Sequence, residues 1–248
     1  MQKLGLVSVS FRNLSPKTII EEAKNAGLSC IEWGSDIHAP YNDTVKLNKI
    51  AKMQKEAGLY CCSYGTYFRL GKDDTDELQK YINAAKILGT DILRLWCGTK
   101  ASIEYSDKEI EALFAECKKA AEIAEKNGVV LCMECHNNTL TDDKDFAIKL
   151  IKNISSPAFR MYWQPNQYKT EEENKEYARL LSSFTKNIHV FNWKGDKRFP
   201  LKNAVSLWKE YLSFFTDEKT LLLEFMPDDD IKTLYEEVQA LKQIVSAE

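Results

Sequence analysis

Glu134 and His136 stand two residues apart where an apolar run, residues 129–134, comes to an end. Side chains on a strand alternate faces, so a strand ending here points both groups the same way. A carboxylate that ends a buried strand is costly unless it is paired or bound to a metal. Three more strand-like runs carry comparable groups at their ends: Gln164 in 158–164, His189 in 187–192 and Glu224 in 220–225. Two carboxylates, two imidazoles and an amide at strand ends make a candidate divalent-metal site. They also suit proton transfer beside a carbonyl. That chemistry needs a carboxylate near the carbon, a second group to return the proton, and an electrophile for the enediolate oxygen. A divalent ion meets the last need as a Lewis acid. Glu134 and Glu224 are therefore the candidate acid/base pair. Each residue also has a plainer reading: Glu134 salt-bridged to Arg94, Glu224 opening the acidic loop behind it, His189 a core histidine bonded to a carbonyl.

The elements that must gather these residues are written in a repeat. Gly27, Gly58, Gly89 and Gly128 each close a polar/apolar helical stretch and open a short apolar run. Glycine suits the left-handed position just past a helix, and the recurrence has the pitch of one strand–helix unit. Eight strands are predicted: 4–10, 29–33, 59–64, 91–96, 129–134, 158–164, 187–192 and 220–225. Helix starts are marked by Ser15-Pro16, Asp43, Asp73-Asp74, Ser106-Asp107 with Glu109, Thr141-Asp142 and Thr170-Glu171. Without a linker-like tract, residues 1–248 read as one α/β domain, a (β/α)8 TIM barrel. The rival is a doubly wound open sheet, but no Gly-x-Gly-x-x-Gly or Walker sequence follows any strand.

In such a barrel, chemistry collects where strands run into the following loops. The unusual polar residues fall there: His38, Tyr67 and Arg69, then Trp96, Glu134 and His136, then Gln164, Gln167, His189, Lys194 and Glu224. Substrate contacts are expected from His38, Tyr67, Arg69, Arg94, Trp96, His136, Gln167 and Lys194. Trp33, Tyr64, Tyr67, Trp96, Trp163 and Trp193 are expected near the mouth, where aromatic faces accept flat C–H faces of a ligand or pack under the loops. Arg69, Arg94 and the run Lys194–Arg198 offer charge to a phosphate or carboxylate, with a solvated loop the plainer reading of that run.

The chain has 248 residues, 44% hydrophobic and 29% charged, and a formal charge of −3, which argues against a nucleic-acid partner. Seven cysteines, mostly inside apolar runs, read as free thiols in a reducing compartment. Neither a signal peptide nor a membrane-length apolar run is present, so a cytoplasmic location is expected. A homo-oligomer is compatible with the fold.

Five segments are similar to one known superfamily: Ile31-Glu32-Trp33 with His38-Ala39-Pro40, Leu93-Arg94-Leu95-Trp96, Met133-Glu134-Cys135-His136, Ile188-His189-Val190 and Leu222-Leu223-Glu224. Over essentially its whole length the chain resembles the xylose isomerase-like TIM-barrel superfamily, which holds sugar (phosphate) isomerases and epimerases, inosose dehydratase and endonuclease IV. The resemblance implies a divalent ion (Mn, Mg, Co or Zn) on Glu134, Gln164, His189 and Glu224. Three places depart from the pattern: Gln164 stands where the family has Asp, Gln167 where it has His, and the strand-seven pattern His-Val-Lys-Asp appears as His189-Val190-Phe191-Asn192. An amide carbonyl brings no charge, so metal affinity should fall. The leading expectation is an isomerase or epimerase of a sugar or sugar phosphate. The alternatives are a dehydratase of the inosose type and a metal-free sugar-binding protein. An endonuclease IV-like activity is disfavoured, because that site is histidine-rich and this chain has three histidines.

Overall fold

The computed structural model describes residues 2–246. Eight parallel strands close a barrel: β1 (Lys3–Val7), β2 (Cys30–Gly34), β3 (Tyr60–Leu70), β4 (Ile92–Cys97), β5 (Val130–Glu134), β6 (Phe159–Trp163), β7 (Thr185–Val190) and β10 (Thr220–Leu223). Between β7 and β10 lies a two-stranded antiparallel hairpin, β8 (Trp193–Lys194) and β9 (Lys197–Arg198). Closure comes from β1 pairing with both β2 and β10. The helices are α1 (Pro16–Asn25), α2 (Thr44–Glu56), α3 (Leu78–Leu88), α4 (Asp107–Asn127), α5 (Lys144–Ile154), α6 (Glu171–Leu181), α7 (Val205–Ser213) and α8 (Leu234–Val245). Among the described residues no helix is long and apolar enough to cross a membrane.

The expected signals operate as local chemistry. Ser106 with Glu109, and Thr170 with Glu173, form reciprocal caps that satisfy orphan N–H groups at the starts of α4 and α6. Gly27, Gly58, Gly89 and Gly128 have φ of +79°, +79°, +85° and +67°, turning each chain end out of its helix.

Strand alternation produces two shells. Outward-facing residues such as Ile31, Leu93, Leu131, Ile188 and Leu221 pack with the inner faces of the helices, Ile19, Ile82, Leu150 and Leu241 among them. Inward-facing Val7, Cys30, Cys62, Cys132, Tyr162 and Leu222 fill the lower barrel interior. All seven cysteines are buried and free, three of them as this inner filling.

Three features depart from the sequence expectation. Residues 8–11 form a 3-10 turn instead of extending β1, because the Ser8 and Ser10 hydroxyls accept the backbone N–H groups of Gly34 and Phe225 at 3.0 and 2.8 Å, in place of a strand ladder. β3 runs on to Leu70 through a register shift between Gly65 and Arg69, with Tyr67 at φ +58°. The β8–β9 hairpin has strands of two residues, too short to leave a period in the sequence.

One buried acid governs how the loop after β7 sits on α8. Both Glu237 oxygens lie 3.1 Å from the Leu201 N–H, and burial pushes this carboxyl up to about 7. From its usual value of 4.5 up to about 7, the folded state holds a proton that the unfolded state has lost. Stability therefore falls as pH rises through that window. Glu237→Gln should stabilise the protein by roughly 2 kcal/mol above pH ~7.5 and leave it unchanged near pH ~4.5. Paired melting curves against pH check this; an equal difference at both ends would contradict it.

Candidate active site

The upper interior of the barrel is polar. β2 contributes Glu32, β3 Ser63, β4 Arg94, β5 Glu134, β6 Tyr162 and β7 Asn187 and His189, all 3% exposed or less. Glu32 lies at the centre of this layer. It accepts from Arg94 Nε at 2.8 Å, Ser63 Oγ at 2.6 Å and the Tyr162 hydroxyl at 2.5 Å. Arg94 Nη1 also donates to Glu134 Oε2, so one guanidinium joins two carboxylates. Gly65 makes room for it: a Cβ there would meet Arg94 Nη2 at 2.8 Å and Glu32 Oε1 at 3.1 Å.

Charge and burial oppose each other here, and charge wins. Burial alone would raise the Glu32 carboxyl, but Arg94 and then His189 bring it down to about 2. Burial likewise favours a neutral Glu134, yet Arg94 and the two imidazoles hold it well below the usual carboxylate range. For His189, burial disfavours the cation, while Glu224, Glu32 and Glu134 raise it well above the ordinary imidazole value.

His189 Nδ1 faces three oxygens: Gln164 Oε1 at 2.9 Å, and Glu134 Oε1 and Glu224 Oε2 at 3.3 Å each. A bare nitrogen lone pair there would face only acceptors, so the position calls for a proton or a metal cation. One ligand atom each from Glu134, His189 and Glu224 lies within 4.8 Å of the others. Glu134 Oε2 accepts from Arg94 Nη1 and, at 2.5 Å, from Trp96 Nε1, which leaves Oε1 toward the cluster. His189 Nε2 makes no hydrogen bond and lies 3.5 Å from Glu32 Oε1, the side where a carboxylate orients a ligating imidazole. The donor set therefore fits a divalent ion: two carboxylates, an imidazole and the Gln164 carbonyl oxygen.

Above this floor opens a cavity of about 340 Å³. Of the residues singled out in the sequence, Tyr67, Arg94, Trp96, Glu134, His136, Gln164, Gln167 and Glu224 line it. His189 lies beneath the floor. His38 sits away from the cavity, buried with Nδ1 3.1 Å from Ser8 Oγ and its ring edge against Trp33. Arg69 stacks on Trp96 at 4.1 Å and donates to the Gly98 carbonyl. Lys194 belongs to a neighbouring groove, paired with Glu171 and 71% exposed. Among the aromatics, Tyr67, Trp96 and Trp193 reach the cavity, whereas Trp33, Tyr64 and Trp163 are wholly buried.

Sequence reasoning passed over Glu32, Arg12, Asn137, Asn138, Asn166 and Phe225. Glu32 carried the same signal as Glu134, a carboxylate inside an apolar strand. Arg12 follows β1 and lies on the rim that the barrel rule singles out. Tyr67, Asn138 and Phe225 share φ near +55°, and all three line the cavity. Non-glycine residues rarely hold this conformation, and where they do the surrounding structure must enforce it. His136 Nδ1 lies 2.8 Å from the Asn137 carbonyl. That oxygen only accepts, so Nδ1 carries the hydrogen and Nε2 of the neutral ring is left to accept.

A family described as xylose isomerase-like TIM barrel matches residues 20–244. No curated protein sequence matches the chain. Among solved structures, a probable 3-DHS dehydratase, AsbF, involved in petrobactin synthesis in Bacillus anthracis is 17% identical. It superposes with a TM-score of 0.81 over 98% of this chain and 99% of that one. D-psicose 3-epimerase from Clostridium cellulolyticum H10, solved with D-tagatose, is 14% identical, with a TM-score of 0.70 over 97% of each chain. A xylose isomerase-like TIM barrel protein from Mycobacterium smegmatis in complex with magnesium is 14% identical, with a TM-score of 0.74 over 98% and 97%. At these identities the likeness is one of fold.

Proposed function

The chain belongs to the xylose isomerase-like TIM barrel family, and from that premise we propose that it isomerises or epimerises a sugar or polyol derivative by carboxylate-mediated proton transfer. The observation that carries this reading is the convergence of Glu134 and Glu224 at the cavity floor with His189 just beneath it. Two carboxylates this close repel each other unless positive charge lies with them. A divalent ion held by Glu134, His189, Glu224 and the Gln164 carbonyl oxygen would polarise the substrate carbonyl and stabilise the enediolate oxygen.

The two carboxylates have unequal parts in this scheme. Glu134 is tied through Oε2 to Arg94 and Trp96 and held strongly acidic, which suits orienting the substrate and keeping negative charge. Glu224 contacts the cluster through Oε2 toward His189, and takes the proton from carbon. Trp96 and Trp193 offer faces to sugar C–H groups, and Asn137, Asn166 and Gln167 offer amides to hydroxyls.

The test is incubation with a panel of ketoses in deuterated water, with and without added Mn2+. Deuterium entering the carbon beside the carbonyl, with epimer or aldose appearing, is the expected result. A protein that loads metal and binds a ketose yet exchanges no deuterium contradicts the proposal. The His136 Nε2 favours a second reading, a dehydratase, because an imidazole at the cavity can take the proton from carbon on Nε2 and deliver that same proton to a departing hydroxyl, which leaves as water. An enone absorbance in place of epimer identifies that outcome.

Metal loading gives a separate prediction. Gln164→Asp adds a charged oxygen beside His189 Nδ1, and should tighten Mn2+ binding by about tenfold in calorimetry. Unchanged or weaker binding would place Gln164 outside the ligand set.

A further inference from the structure

Four cationic side chains border the cavity or the groove beside it, with Arg198 in a further adjoining groove, and each is already matched to a carboxylate. Arg12 is ion-paired with Asp36 and donates to the Tyr67 hydroxyl at 2.8 Å. Arg94 is held by Glu32 and Glu134. Lys169 lies 3.7 Å from Asp143, Lys194 3.8 Å from Glu171, and Arg198 pairs with Asp229. The N-terminus of α6, at the edge of that groove, is closed by its own Thr170 and Glu173. Arg69 has no carboxylate partner among the described residues, but it is stacked on Trp96 and does not line the cavity.

With His189 neutral as a metal ligand, the carboxylates lining the cavity and those paired to its arginines (Glu32, Asp36, Glu134 and Glu224) outnumber Arg12 and Arg94 by two charges. One divalent ion cancels that surplus and leaves no positive charge over. A phosphate or carboxylate entering here would have to break an existing pair and strand its acid. Hydroxyls, by contrast, meet amides and aromatic faces. We infer that the cavity selects an uncharged polyol, a free ketose or cyclitol, and rejects its phosphorylated or carboxylated counterpart. The inference rests on the proposed site and narrows its substrate class.

Trp96 and Trp193 line the cavity, so tryptophan fluorescence reports binding directly. The Mg2+-loaded protein is titrated with D-fructose and with D-fructose 6-phosphate. The free sugar should bind about tenfold more tightly, a difference of about 1.4 kcal/mol. Asp36→Asn, on a partly exposed loop, frees the Arg12 guanidinium. It should strengthen phosphate binding about tenfold, with the gain lost in about 0.5 M salt and fructose binding changed by less than about twofold. Phosphate binding as tight as fructose binding in the unaltered protein overturns the inference and leaves the isomerase reading standing. So does an Asp36→Asn protein that folds and shows no gain. If that variant does not fold, the comparison in the unaltered protein decides alone. Selective fructose binding without any deuterium exchange upholds the inference and overturns the isomerase reading; binding of neither sugar overturns both.

Discussion

Glu224→Gln should abolish most proton exchange, by about 10²–10⁴-fold, while the folded protein melts within a few degrees of the parent. The amide keeps the shape of the side chain and an oxygen for His189, but it cannot accept a proton from carbon. Glu224 is also a proposed metal ligand, so the variant must be assayed with Mn2+ at saturating concentration and its metal content measured. A fully loaded variant within about tenfold of the parent rate would remove Glu224 from the reaction.

Arg94→Met is the second large effect, and it falls on stability. Arg94 is 3% exposed and neutralises two carboxylates that are equally hidden, Glu32 and Glu134. Removing one partner of a buried ionic cluster costs about 3–5 kcal/mol, because the remaining charges are left without compensation. The penalty has a pH signature. In the parent, Glu32 has its carboxyl depressed from 4.5 to about 2. Its stabilisation is present above 4.5 and is lost as pH falls toward about 2. The gap between parent and variant should therefore be widest near neutrality and shrink through that acidic window. Adding Glu32→Gln to Arg94→Met should recover part of the loss, since the two changes act on one contact. Urea unfolding of the four proteins measures the cycle. An additive double variant would mean the pair contributes no coupling.

The barrel itself was legible because its signals are local. Glycines past helix ends, acids and hydroxyls at helix starts, and apolar runs of strand length each follow from near-neighbour chemistry. Glu134, His189 and Glu224 could be read because strand alternation and barrel closure together fix where their side chains point. Other features depend on contacts between distant segments. The placement of His38 is decided by Ser8, thirty residues earlier in the chain, whose hydroxyl draws the ring inward and away from the mouth. Arg69 reaches the back of Trp96 because β3 carries an irregularity that no hydrophobic period announces. Glu32 looked like part of a strand, and its importance shows only when Ser63, Arg94 and Tyr162 arrive from three other strands.

Anyone wishing to make this barrel hardier would meet an obstacle at its centre. The usual remedy, repacking an interior with leucine and valine, would here erase the proposed reacting groups along with the buried charged side chains. Heat tolerance would have to be won in the outer shell of helices and loops, as at Glu237, so selection for endurance and selection for turnover would act on different layers of the molecule.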